Sequence, residues 1–248
     1  MKRILTLLLA TLSLNVLSED FLSGGTYVMS APDGIKYNLI GQVSTETDNL
    51  IVGRTYSSDT ESMEITTSSS QTVLLKLSNE ILVELQPDSK FSVDGFNQMV
   101  KNDDAEPMVV VYTDYIANLN LLEGDAYISS PTYDSANTMN VLQTPLANLE
   151  LSGGKYLVKS SQKFVICYVI DGSVKVFNPK TNKKETVEDG QMAFIVPFPG
   201  ETGVMVTSKT IEPGELLGQT NKVKEIEKNK DSVIFAVINK KIVGIKVK

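Results

Sequence analysis

From Thr72 to Pro197 the chain alternates apolar and polar residues with a period of two, broken mainly by glycine. A strand sends successive side chains to opposite faces, whereas a helix needs apolar residues three or four apart, so this rhythm fits half-buried strands. In "TVLLKLSNEILVELQPDSKFSVDGF" the residues Val73, Leu75 and Leu77 share one face, as do Ile81, Val83 and Leu85. Ser78-Asn79 turns between them and Pro87-Asp88 ends the second run, which describes a hairpin. "MVVVYTDYIANLNLLEGDAYIS" suggests a strand to Tyr112, another from Ile116 to Leu122, and a turn at Glu123-Gly124-Asp125. Three further segments turn at Gly153-Gly154, at Asp171-Gly172 and at Asp189-Gly190. Many short strands joined by such turns predict an all-β fold, either a compact sandwich or a solenoid-like β-roll.

Three regions fall outside that rhythm. The opening "MKRILTLLLATLSLNVLS" joins a basic start to a short apolar core and a small-residue end, so residues 1–18 are expected to be a cleaved signal peptide. The core is too short and too often interrupted for a membrane span. Residues 19–203 are expected to form the β domain, and 204–248 a C-terminal appendage. Within the appendage "IEPGELLGQTNKVKEIEKNKD" (211–231) is the helix candidate, weakened in its first half by Gly214 and Gly218. "SVIFAVI" and "KIVGIKV" form a hairpin around Asn239-Lys240. "NQMVKNDDAEP" (97–107) and "SSPTYDSANTMN" (129–140) are polar and read as long exposed loops. "TTSSSQT" (66–72) reads as an exposed strand edge or connection.

Composition removes whole classes of chemistry. The chain has no histidine, which excludes imidazole metal sites, serine-histidine triads and histidine acid-base catalysis. It has no tryptophan, which weakens a sugar platform of stacked indoles. A net charge of -7, lower still without Lys2 and Arg3, disfavours nucleic acid and anionic lipid as partners. The single cysteine, Cys167, lies in the apolar run "FVICYVI" and is expected to be a buried, inert thiol.

The carboxylates need weighing, because Asp171 and Asp189 flank the last strands as a glycosidase pair would flank a scissile bond. Each precedes a glycine, where a short acceptor caps the local backbone and the glycine takes positive φ. Asp33-Gly34, Asp94-Gly95 and Glu123-Gly124 repeat the device. Gly124, Gly153, Gly154, Asp171, Gly172, Asp189 and Gly190 are therefore read as structural turns, and no catalytic, cofactor or metal residue is assigned. "NDDAE" (102–106) is the better of two weak calcium candidates. Tyr112, Tyr115, Tyr127, Tyr133 and Tyr168 alternate with apolar neighbours and fit sheet packing better than a binding surface. "LSGGKY" joins strand to strand and cannot act as a phosphate loop, which needs a helix behind it.

The order of these segments resembles the FecR domain. Pro87 and Ser89 match its strand-ending turn, and Leu121, Gly124 and Ala126 match its "xLxxGxAxxx" segment. Thr144, Pro145, Ala147, Gly153, Tyr156 and Val158 follow its "TPxAxxxxxGTxFxV" strand. Val169, Gly172, Val174 and Val176 precede a final Gly190-Gln191, so that the likeness covers roughly residues 24 to 200. The best-understood members are periplasmic sensor halves of iron-uptake regulators. They carry a cytoplasmic segment and a membrane helix ahead of the domain, where this sequence has the signal peptide. The resemblance implies an exported, non-enzymatic binding or interaction module of a bacterial envelope, periplasmic or extracellular. It would take a protein partner, no cofactor and no nucleic acid, and have no membrane span after cleavage. A structural or envelope-assembly protein is the first alternative, and a glycan-active or calcium-dependent enzyme the second.

Overall fold

A computed structural model of the protein describes residues 20–40, 45–57, 62–100, 108–109, 112–132, 139–178, 183–198, 203–238 and 241–247. Residues 1–18, expected to be a signal peptide, the "NDDAE" cluster and Tyr133 lie outside the described residues. In chain order the first strands are β1 (Asp20–Ser23), β2 (Gly25–Ser30), β3 (Lys36–Ile40), β4 (Thr45–Asn49), β5 (Thr55–Ser57) and β6 (Ser62–Thr66). Next come β7 (Val73–Leu77), β8 (Leu82–Leu85), β9 (Lys90–Val100), β10 (Met108–Val109), β11 (Tyr112–Ser130) and β12 (Met139–Gln143). The series ends with β13 (Asn148–Ser160), β14 (Val165–Phe177), β15 (Lys184–Glu188), β16 (Gln191–Pro197) and β17 (Val204–Thr210), then helix α1 (Pro213–Glu227), β18 (Val233–Ile238) and β19 (Lys241–Lys246).

The strands build two layers around one apolar interior. The first layer runs β17, β16, the start of β14, the end of β13, the end of β11, β8, β7, β2 and β5. The second runs β15, the end of β14, the start of β13, β12, the start of β11, β9, β6, β3 and β4. β1 extends the second layer along the far end of β9. Between the layers lie fully buried side chains such as Leu75, Val83, Phe91, Leu119, Tyr156 and Val169. Each stabilises the fold by roughly 1.5–3 kcal/mol through removal of apolar area from water. The architecture is all-β, and the sheet does not close on itself.

Three strands, β11, β13 and β14, belong to both layers. Their interior residues switch parity where they cross. In β11 they are Ala117, Leu119 and Leu121, then Ala126 and Ile128; in β13, Leu149 and Leu151, then Tyr156 and Val158; in β14, Val165, Cys167 and Val169, then Val174 and Val176. One extra residue at each crossing turns the side-chain phase over, so the chain can change layer and keep its apolar side inward. β12 pairs in parallel with the start of β11, while every other pairing among the described residues is antiparallel. A parallel pair needs a crossover. Here the end of β11, running through the opposite layer, supplies it, and this makes one coil of a roll inside a two-layer sheet.

This corrects the reading of three glycine turns. Gly124, Gly153-Gly154 and Gly172 do not join separate strands; they are corners inside continuous ones. The physical reason is close approach of two backbones at positive φ. Gly154 (φ +134) and Gly172 (φ +84) are paired across β13 and β14. A Cβ on Gly154 would stand 2.1 Å from the Asp171 carbonyl oxygen, and one on Gly172 would stand 2.1 Å from that of Gly153. Gly190 differs: it sits in a true turn between β15 and β16, and a Cβ there meets nothing within 4 Å. A second correction concerns "NQMVKNDDAEP", whose residues Asn97–Val100 are strand, paired with β1.

The segment after Thr210 lies across the outer face of the first layer, with its hairpin resting against the β5 edge, so it covers the fold without closing it. Helix α1 begins at Pro213, where the missing N–H costs nothing. Gly214 and Gly218 fall within it and face open space. Gln219, Lys222, Val223, Ile226 and Glu227 share its inner face by helical spacing. Val223 packs with Leu157, Tyr168 and Ile170, and Ile226 packs with Leu74 and Leu82. Polar bonds fix the register: Tyr127 donates to Gln219 (2.6 Å), Ser129 donates to Glu227 (2.8 Å), and Lys222 and Lys155 pair with Glu84 and Glu227 at 3.0 and 3.1 Å. The hairpin β18–β19 seats Val233, Phe235 and Ile242 on Tyr27. Beneath it lies a buried cation. Lys76 donates to the carbonyl oxygens of Lys230 (2.8 Å) and Val233 (2.6 Å) and pairs with Glu80 at 2.9 Å.

Two outcomes test this account. Gly154→Ala and Gly172→Ala should each cost more than about 3 kcal/mol in urea unfolding, because strain at positive φ adds to a backbone clash. Gly190→Ala should cost only about 1 kcal/mol, from strain alone; equal losses at the three sites would refute the corner geometry. Lys76→Met should cost about 2–4 kcal/mol by leaving buried carbonyls unpaired. It should also speed proteolytic release of the segment after Thr210, read by mass spectrometry.

Candidate interaction surface

The acidic residues weighed from sequence do not converge. Asp171 leaves 64 % of its side chain exposed, with Lys155 at 3.9 Å across the β13–β14 pair. Asp189 is exposed in the turn ahead of Gly190, whose N–H donates to the Val169 carbonyl at 2.9 Å. Neither lines the cleft between β5 and β19, and no group of three acidic or sulfur side chains gathers among the described residues. Tyr168 and Tyr127 are partly or wholly covered by α1, in keeping with sheet packing. Among the described residues no helix is long and apolar enough to cross a membrane.

The residues that carried the family likeness act on the scaffold. The Ser89 hydroxyl donates to the Asp125 carbonyl and accepts from the Asp125 N–H, both at 3.0 Å, which clamps the β11 corner at Gly124. Thr144 and Ala147 bond to each other through the Thr144 hydroxyl and close the β12–β13 connection. Tyr156 is fully buried, and its hydroxyl reaches the carbonyl oxygens of Gly153 and Ser173 at 2.7 Å each. It thereby ties the two halves of the β13–β14 corner together. Burial raises the pKa of that hydroxyl well above its ordinary value, with Cys167 adding to the effect, and so holds it in the donating form.

A surface able to meet a partner must be sought at the edges, where backbone groups are unpaired. Four strands end the strand orders of the two layers, and the short β1 adds a further edge along β9. β4 carries Glu46 and Asp48; β15 carries Lys184, Glu185 and Glu188; β5 is three residues long. Charge and shortness are what keep an edge from pairing with another chain. β17 is the longest of the four, and its single charge, Lys209, falls near its C-terminal end and leaves Val204–Ser208 without either guard. Its outward face continues into an apolar strip. Phe194 lies between Ile166 and Thr207, and Val196 lies opposite Met205. Phe164, Phe194 and Met205 leave 38, 39 and 44 % of their area in solvent, just beyond the ground α1 covers. This strip was not expected from the sequence. Its signal was the run "QMAFIV", apolar on both faces where a half-solvated strand should alternate.

The geometry therefore defines a class first: an all-β scaffold held by glycine corners, with an edge unguarded over Val204–Ser208. The family model described as FecR protein matches residues 63–175, a little under half of the chain. The match begins in β6 and ends in β14, so it takes in the three corners and is narrower than the likeness traced from motifs. No curated protein matches the sequence. Two crystal structures of a candidate anti-sigma factor from Parabacteroides distasonis ATCC 8503, at 2.50 and 1.65 Å, are similar in shape at a TM-score of 0.46 and 12 % identity. Each covers 75 % of this chain, and the overlap spans 100 % and 99 % of theirs.

Cys167 offers a direct probe of the interior. It is fully buried, and burial pushes its thiol up to about 12 from an ordinary 9.0. The unfolded chain ionises first as pH rises, so this group favours unfolding by about 1.4 kcal/mol per pH unit between roughly 9 and 12 and has no effect below that window. At pH 8 a thiol reagent should leave the folded protein unlabelled and react fully once denaturant is added. Rapid labelling of the folded chain would contradict the packing at β14.

Proposed function

We propose that the protein is an exported, non-enzymatic recognition module of the FecR type, which senses or transmits a signal in a bacterial envelope by binding another protein. The observation that carries this reading is the unguarded β17 edge beside the apolar strip of Phe164, Phe194 and Met205. A partner strand added at such an edge gains affinity from main-chain hydrogen bonds, and side-chain pockets set its identity. The strip supplies an apolar anchor of the kind that dominates protein interfaces. The absence of histidine from the sequence supports the non-enzymatic part, as does the wide exposure of Asp171.

Site-specific photo-crosslinking in the producing cell tests the reading. A crosslinker at Thr207 should give one discrete adduct with an envelope protein. A crosslinker at the exposed, charged Glu188 of β15 should give none. Phe194→Ser combined with Met205→Ser should abolish the Thr207 adduct and leave the melting temperature within a few degrees, since neither side chain belongs to the buried core. An adduct of twice the chain's own mass would replace heterologous recognition with self-assembly, and no adduct would remove the edge from consideration. Cell fractionation checks export separately.

A further inference from the structure

A cleft of about 500 Å³ opens where the C-terminal hairpin meets the N-terminal edge of the first layer. Its walls are Tyr37, Leu39, Arg54, Tyr56, Lys241 and Val243, with Gly53 and Gly244 leaving parts of the rim bare. The volume falls within the range of small-molecule sites.

Arg54 stands over the ring of Tyr56, its guanidinium carbon 5.1 Å from the centroid, and Tyr56 meets Tyr37 edge-on at 4.7 Å. Both tyrosines are buried, so the rings form a fixed floor. The Tyr56 hydroxyl accepts from the Ile51 N–H at 3.1 Å, which holds that floor against the turn leading into β5. A guanidinium stacked on a fixed ring loses less freedom when it binds than a mobile one, and its planar fork matches an oxyanion bidentately. Lys241 brings a second cation from β19. Acidic residues outnumber basic ones 30 to 23 in this chain, yet among the described residues neither Arg54 nor Lys241 forms an ion pair.

We propose that this cleft binds a small-molecule oxyanion, a phosphate or carboxylate group, on the fork of Arg54 with Lys241 as second contact. The proposal stands apart from the β17 edge, which lies at the opposite end of the first layer. Binding there would tie the hairpin to the sheet. The hairpin already rests on this edge through the Gly244 N–H, which donates to the Thr55 hydroxyl at 2.8 Å. Gly244 also packs so closely on Tyr27 that a Cβ would stand 2.4 Å from its ring.

Inorganic phosphate and succinate, titrated separately into the whole protein at low ionic strength and followed by calorimetry and amide NMR, test the proposal and separate the two chemistries. At least one should bind saturably, shift amides around Arg54 and Gly244, and raise the melting temperature. Arg54→Gln should weaken binding about tenfold or more and Lys241→Gln about threefold, in line with the loss of a charged hydrogen-bonding contact. Arg54→Lys keeps the charge and loses the fork, and should recover only part of the affinity. No saturable binding of either probe up to about 10 mM, weaker than any specific site of this size, would overturn the proposal. Binding unchanged in Arg54→Gln would do so too, as would amide shifts confined to other faces. Unchanged melting of the unliganded variants distinguishes a lost contact from a damaged fold.

Discussion

The rest of the structure depends on two backbones meeting without side chains between them. At the β13–β14 corner Gly154 and Gly172 face each other so closely that either would be displaced by a single methyl group. That contact lets both strands turn together from one layer into the other with their pairing kept. Tyr156 locks it by reaching carbonyl oxygens on both strands. The Ser89–Gly124 contact does the same for β11. Remove the corners and the same sequence would present three flat, overlong strands with half their apolar residues facing water.

The all-β character was legible because alternation needs only neighbouring residues to read. The hairpin at Ser78-Asn79, the helix after Ile211 and the final hairpin were equally local, and they lie where expected. What misled was the assumption that a glycine in an alternating run ends a strand. The corrective signal was present. Val169 and Val174 have opposite parity, as do Leu121 and Ala126, and Leu151 and Tyr156. A turn may reset the phase freely, but a continuous strand that slips by one residue must change the face it buries. The parallel pairing of β11 with β12 left no local trace, because it depends on a crossover through the other layer.

The surfaces were harder to read than the scaffold, for a related reason. Motif residues such as Ser89, Thr144 and Tyr156 recur because the backbone needs them, so resemblance led to architecture. Phe194 and Met205 serve no corner and no core, and only their exposure on a finished edge gives them meaning. Lys76 shows the opposite case. In sequence it is one polar residue alternating out of a strand, which suggests solvent, yet it lies buried beneath the C-terminal hairpin. The outer face of the first layer is interior because residues more than 150 positions later return to cover it.

Sharing three strands between two layers also has a mechanical consequence. In a sandwich of independent sheets, the layers touch only through side chains and can slide under load. Here covalent chain crosses from one to the other in the middle of the sheet, through the β11 corner and the β13–β14 corner, which lie at opposite ends of the β11–β13 pairing. Tension applied at β17 passes through β16 into β14, and from there along unbroken backbone into the second layer. Such a body resists shear and moves as a unit, so a pull on one edge reaches the far layer as displacement rather than being lost in slippage.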